Sequence, residues 1–400
     1  MTWRAMSLRD CAKFSSGGTP HKGTPEYWIG DIPWVSSGEM VRQFIDDTSL
    51  HISEAGAFAG SRLVPAGTIF AVVRGMSLAK EFRVAFATRP MAFNQDLKAL
   101  TVKDGIDPYF LFSSLRSHAA RICDLSTEAA HGTKKLEMER LESFQLLVPG
   151  IETQRRIGGI VKAYDDLIEN NQRRIKLLEE AARRLYREWF VALRFPGHER
   201  VKVVDGVPKG WTFGALSDSL CYLNRGVSPQ YNDSAPGLVV NQKCIRNGLL
   251  DLSPARRQAK EVPQEKLLQL GDVLINSTGT GTLGRVAMVR SPVGDCTADT
   301  HVTIARPANQ AAMAFWGVAL LEMEARFSEM GVGATNQQEL IRSHVGAIEL
   351  LVPPTDLQAD FHARAWPMLL QSDTLSKQSG VLQQARDGLL PRLMSGALTV

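Results

Sequence analysis

Gly279-Thr280-Gly281-Thr282-Leu283-Gly284 has the GxGxxG spacing that can cradle a pyrophosphate, so nucleotide or S-adenosylmethionine binding is the first chemistry to weigh. Such a fingerprint must open a helix whose N-terminus holds the phosphates. Here Arg285-Val286-Ala287-Met288-Val289-Arg290 follows, with strand character, so a glycine-rich turn joining two strands is favoured; an S-adenosylmethionine- or nucleotide-binding enzyme using residues 279–284 stands as the alternative. Other catalytic patterns are missing. The only Pro-Pro, Pro353-Pro354, is followed by Thr355 rather than an aromatic, and no GxxxxGK[ST] phosphate loop occurs. The eight histidines lack metal-ligand spacing, and the five cysteines form no CxxC pair. Asp299 and His301 would share a strand face, but no nucleophile spacing accompanies them.

What remains is a set of side chains suited to base edges and phosphates. In the second half these are Asn241, Gln242, Lys243, Arg246, Arg256, Arg257, Thr280, Thr335, Asn336 and Gln337, and in the first half Ser36, Ser37, Arg74, Lys80, Thr133, Lys134 and Lys135. Arg suits guanine and Asn or Gln suits adenine, whereas Lys, Ser and Thr more often serve phosphates. Global charge is only +4 and announces no polyanion partner. Locally, Arg225, Lys243, Arg246, Arg256, Arg257 and Lys260 face only Asp233 and Asp251, a basic window that reads equally well as a solvated loop face.

These residues need a frame, and an internal repeat supplies one. Leu146-Leu147-Val148-Pro149 recurs as Leu350-Leu351-Val352-Pro353, displaced by 204 residues in a chain of 400. The same displacement pairs Gln154 with Gln358 and Gly67 with Gly271. Each half reads as short strands and turns, then core strands (Gly67 to Val73 with Arg83 to Phe86; Gly271 to Ile275 with Arg285 to Val289), then a helical segment (Tyr109 to Ile122; Ala311 to Met330). Two similar α/β (α+β) globules follow. With 44% hydrophobic residues the chain can build both cores, and its longest uncharged apolar run, Ala311 to Leu321, is too short for a bilayer span, so a cytoplasmic protein is expected.

Beyond each Leu-Leu-Val-Pro the pattern becomes a heptad seam: Ile157, Val161, Tyr164, Ile168, Asn171, Ile175, Leu178, Ala182, Leu185 and Trp189. Asn171 is either a register-setting polar residue or a tolerated defect. The matching seam, from Phe361 to Leu393, is poorer and contains Pro367 and Pro391, which predict a bent or interrupted second helix. Two such helices in one chain most readily pair antiparallel.

In this order of elements the chain resembles the specificity subunit of type I restriction-modification enzymes over essentially its whole length. The residues that carry the resemblance are Gly17-Gly18-Thr19-Pro20, Tyr27-Trp28, Gly30-Asp31-Ile32-Pro33-Trp34, the turn Gly281 to Arg285, Glu188-Trp189-Phe190 before Phe195-Pro196-Gly197, and Leu389 to Gly396. The resemblance implies two target recognition domains (1–150 and 211–352), each reading half of a split DNA sequence. Two conserved helical regions (151–194 and 353–400), with a linker at 195–210, would separate them and dock two methylation subunits, with restriction/translocase subunits joining. It also implies no catalysis and no cofactor in this chain, S-adenosylmethionine, ATP and Mg belonging to the partners. One departure is Arg74-Gly75-Met76-Ser77-Leu78, which keeps only the first glycine of the turn, so the hairpin tips should differ between halves.

If the seam sets the half-site spacing, inserting four residues at Arg173-Arg174 adds roughly 6 Å and about one helical turn. The mapped motif should then keep both half-sites while its spacer grows by one or two base pairs; an unchanged spacer in an active mutant would contradict this.

Overall fold

The computed structural model describes residues 3–128, 133–334 and 338–400. The chain divides into two compact units, Met1–Glu169 with Gly380–Val400, and Asn170–Ser379. In the first, Ala12–Ser16, Leu97–Val102, Ile69–Val72, Val84–Ala87 and Phe44–Ile45 form a five-stranded sheet in that order. In the second, Leu220–Arg225, Val302–Pro307, Val273–Asn276 and Val286–Met288 form a four-stranded sheet with the same central order. Ile69–Val72 and Val273–Asn276 are buried throughout, as fits their unbroken apolar runs; Asn276 is the polar exception. A smaller three-stranded sheet also repeats. Ile32–Val35 lies between His51–Ile52 and Ala92–Phe93, and Gly237–Val240 between Arg256–Gln258 and Cys296–Ala298, each central strand pairing antiparallel on one side and parallel on the other.

The helical segments following the sheets divide where their periodicity gives no sign of a break. Pro108–Ser117 and Ala119–Cys123 are separated at His118, and Met313–Glu322 and Glu324–Glu329 at Met323, both residues having ψ near zero. The apolar spacing runs through both breaks, which is why the sequence reads each as one helix.

The Leu-Leu-Val-Pro segments are strands, Gln145–Val148 paired with Arg4–Ser7 and Glu349–Val352 paired with Thr212–Ala215. Each leads into a long helix. Gln154 donates its amide to the Pro149 carbonyl at 2.9 Å, and Gln358 donates to Pro353 at 2.7 Å, so the residues 204 apart make the same entry bond. The first helix spans Ile151–Tyr186 and ends in a π-helical turn, Arg187–Val191, which seats Trp189 among Tyr186, Phe190 and Phe361.

The second helix decides against interruption, one of the two forms expected: Thr355–Met394 is one helix of 40 residues that continues through Pro367 and Pro391. Both prolines are exposed, as are Ala363 and Asp387, whose carbonyls lose their N–H donors. On an exposed face water can stand in for the missing donors, which removes much of the cost of the lost bonds.

In the first unit Ile157 and Val161 share a core with Leu390, Leu393 and Met394. In the second, Ala182 and Trp189 share one with Phe361, Ala365 and Leu369. Within the first unit Asp165 meets Arg386 further along, and within the second Glu179 meets Ser372, so in each unit the two helical segments run antiparallel. Along the first helix Ile157, Val161, Ile168, Asn171, Ala182 and Trp189 are buried, and Tyr164, Ile175, Leu178 and Leu185 half-buried.

Polar anchors sit between these apolar layers. In the first unit Asp165, 1% exposed, accepts from Tyr109 Oη at 2.7 Å, Arg116 Nη1 at 2.7 Å and Arg386 Nη1 at 2.7 Å. In the second, Glu179 accepts from Ser372 Oγ at 2.6 Å and from both terminal nitrogens of Arg290. Removing one partner of a buried charge pair costs about 3–5 kcal/mol, because the remaining charge stays buried. Asp165→Ala should accordingly lower the urea-unfolding free energy of the first unit by about that amount. Asp166→Ala removes an exposed pair with Lys162 and should change it by under about 1 kcal/mol. Equal effects of the two substitutions would contradict the anchor.

Candidate nucleic-acid interface

The glycine-rich turn is a hairpin connection. Val273–Asn276 and Val286–Met288 pair antiparallel on either side of it, and the element that follows the turn is that second strand. Gly284 has φ +81°, and a Cβ there would lie 2.4 Å from the Ser328 backbone nitrogen; the glycine is required for the hairpin to close against the helix Glu324–Glu329. The fingerprint thus has a structural cause that owes nothing to phosphate.

In the first unit the corresponding hairpin root carries positive charge. Arg74–Gly75 joins Lys134–Lys135 and Thr127–Glu128 in a three-stranded sheet, with Lys135 directly opposite Arg74 and Lys134 opposite Gly75. The helical turn Met76–Ala79 packs beside the lysine strand and ends at Lys80. Arg74, Lys80 and Lys135 are exposed and Thr133 and Lys134 half-buried. Like charges directly opposite on paired strands repel one another. Their juxtaposition makes this surface a place for an anion. Ser36 and Ser37 lie elsewhere in the unit, in the turn after Ile32–Val35, where their carbonyls accept from Glu39 and Met40.

The second unit builds the same root from different side chains. Thr278 bridges Glu339, 204 residues beyond the Arg74 and Lys135 pairing, and Glu339 is bonded to Arg225 at 2.6 Å. Gln242 Nε2 donates to the Thr278 carbonyl at 2.7 Å, and Thr278 Oγ1 lies 2.8 Å from Nδ1 of the exposed His301. Asp299, beneath it, accepts the His301 backbone N–H at 2.8 Å, and burial pushes its carboxyl above the usual range. Thr280 is exposed at the hairpin tip.

Several of the residues picked out by type are occupied within the chain. Asn241 donates to the Pro254 carbonyl and accepts from the Lys243 N–H, which orders the turn Gln242–Cys244. Arg257 donates to the Ala235 carbonyl at 2.9 Å, and the Arg256 guanidinium sits 3.6 Å from the centre of the Tyr231 ring. Lys243 and Arg246 are exposed. Thr335, Asn336 and Gln337 lie outside the described residues. Thr278 was not singled out from sequence, although the displacement of 204 leads to it from Arg74; His301 was paired there only with Asp299, and its contact with Thr278 left no trace along the chain.

Among the described residues no group of three or more His, Cys, Asp and Glu side chains could hold a metal ion, and no helix is long and apolar enough to cross a membrane. Burial pushes the thiols of Cys11 and Cys244 up to about 11 and that of Cys296 up to about 12, away from the range of reactive thiolates. A cleft in the first unit is lined by Arg42, Arg83, Arg116 and Arg386, but each already faces a carboxylate, Arg42 that of Asp46, Arg83 that of Glu81 and the other two that of Asp165.

Comparison with known proteins gives a consistent result. Residues 1–180 match the family model described as the type I restriction modification DNA specificity domain. The chain is 26% identical to the specificity subunit of the type I restriction enzyme MjaIX of Methanocaldococcus jannaschii, over 100% of this chain and 94% of that protein. It is 31% identical to the EcoR124I/EcoR124II specificity subunit of Escherichia coli over 40% of each chain. The crystal structure of a type I restriction-modification system S subunit from M. genitalium superposes with a TM-score of 0.68 at 17% identity, covering 98% of this chain and 96% of that one; this likeness concerns the fold.

The basic hairpin root can be tested directly. Arg74→Ala with Lys135→Ala should reduce the salt slope of duplex-DNA binding by about two, one for each phosphate that is no longer neutralised. The same pair of substitutions should leave the melting midpoint unchanged or raise it, since cross-strand repulsion is relieved. An unchanged salt slope would make the pair ordinary surface charge.

Proposed function

The chain belongs to the specificity subunits of type I restriction-modification systems, non-catalytic chains that recognise the DNA target for their complex, and from that premise we propose that it reads a bipartite double-stranded sequence, one half with each repeat. The observation that carries this reading is the repetition itself. Two units with the same strand order, the same helix break and the same entry into a long helix each carry their own hairpin root. A protein that needed a single recognition surface would have no use for the second.

In this reading residues 1–150 and 211–352 are the recognition domains, 195–210 the linker, and 151–194 and 353–400 the helical regions that hold two methylation subunits. Restriction/translocase subunits complete the assembly in the cytoplasm. S-adenosylmethionine serves the methylation subunits, and ATP with Mg the translocating ones. The first repeat contacts DNA through Arg74, Lys80, Thr133, Lys134 and Lys135, with Ser36 and Ser37 at a neighbouring turn; Lys243, Arg246, Arg256 and Thr280 are the exposed contacts of the second. Thr335, Asn336 and Gln337 keep their place as contacts on residue type alone, and Asn241, Gln242 and Arg257 act through the turns and strands that they brace.

Replacing residues 1–150 with the equivalent domain of a related subunit, co-expressed with the methylation subunits, tests the reading. One half of the methylated motif should change and the other should remain. A change in both halves would count against modular recognition.

A further inference from the structure

Three polar side chains of the second unit form a relay that ends at the surface. Gln242 Nε2 lies 2.7 Å from the Thr278 carbonyl oxygen and 2.5 Å from Thr278 Oγ1. A carbonyl oxygen only accepts, so the amide nitrogen and not its oxygen must face Thr278. Oγ1 accepts one amide hydrogen and keeps its own proton for Nδ1 of His301, 2.8 Å away. With the hydroxyl donating to Nδ1, the ring proton sits on Nε2.

The relay is braced from below. Asn276, wholly buried, donates to the Gln242 carbonyl at 3.2 Å. The Ser277 N–H donates to the His301 carbonyl at 2.8 Å, while the His301 N–H donates to Asp299. A surface histidine left to solvent samples both tautomers and several rotamers. Here the bonds remove that freedom, at an entropic cost that no core packing of the exposed ring offsets. The product is an imidazole held in a fixed position, and with Nδ1 accepting from Thr278 its Nε2–H is the donor that reading a base edge demands.

We propose that His301 is a specificity-determining residue of the second repeat, its Nε2–H donating to the major-groove acceptor of a purine, N7 or guanine O6. The inference rests on the DNA-reading function above. A base edge is favoured over a phosphate by the local charge: the ion pair of Arg225 with Glu339 leaves the Thr278 bridge without the net positive charge that Arg74 and Lys135 give the first repeat.

The test uses the complex of the full chain with its methylation subunits, in competition between cognate duplex and duplexes changed at single base pairs. His301→Ala should lower discrimination at one base pair of one half-site by about tenfold, with the other half-site unaffected. Thr278→Val keeps the shape but lacks the hydroxyl proton, and should weaken discrimination at the same base pair. His301→Gln, which retains an N–H donor, should recover part of it. A loss spread evenly over all duplexes would make His301 a phosphate contact and overturn the proposal, as would unchanged discrimination in both His301→Ala and Thr278→Val. Should His301→Ala lower the melting midpoint, His301→Gln and Thr278→Val decide on the same criteria. A wild-type complex that discriminates no sequence would instead refute the DNA-reading function itself.

Discussion

Asp165 is a carboxylate removed almost entirely from water and held there by three donors, and the arrangement of the first unit depends on it. Arg116 and Tyr109 come from the globular part, Arg386 from the second long helix, and Asp165 itself from the first. A slip of one helix by a turn, roughly 5 Å, would leave a charge buried without its partner, whereas an apolar seam alone would tolerate the slip at much lower cost. Glu179 plays the same part in the second unit, where Arg290 comes from the globular part and Ser372 from the second helix. In each unit one acid of the first helix, the buried Asp165 or the half-buried Glu179, ties the second helix and the globular part to the first helix.

Around these anchors the two repeats keep what satisfies buried groups and differ where side chains meet solvent. Gln154 and Gln358 make the same bond because each helix entry leaves a proline carbonyl that needs a donor. The hairpin roots answer to no such requirement. One carries Arg74 opposite Lys135, the other Thr278 opposite Glu339 with a histidine alongside. Burial holds the framework constant, while the tips are free to vary.

The repeat, the strand–turn–strand nature of residues 279–284 and the long first helix were legible in the sequence, because each leaves a periodic or glycine-marked trace within a short window. Pro367 and Pro391 misled as to a break, since whether a proline breaks a helix depends on whether the orphaned carbonyl can meet water, and that is a property of the face on which it lies. The candidate site was less legible. Residue type pointed to Arg74, Lys134 and Lys135 but not to their alignment across one sheet, which joins positions some 60 residues apart. Asn241, Gln242 and Arg257 look like free readers in one dimension and turn out to brace nearby backbone. Asp165 went unread, and His301 was seen only beside Asp299, for the same reason: a charged or polar residue acquires its role from partners distant in the chain, and local pattern carries no record of them.

As a specificity subunit, this chain recognises the DNA target for its complex. Genome-wide mapping of methylated bases, in cells carrying the methylation subunits with and without this protein, tests it most directly. The expected result is one bipartite motif, two short specific segments around an unread spacer, present only when the chain is present. A motif that persists without the chain, or a single continuous motif that requires it, would contradict the account.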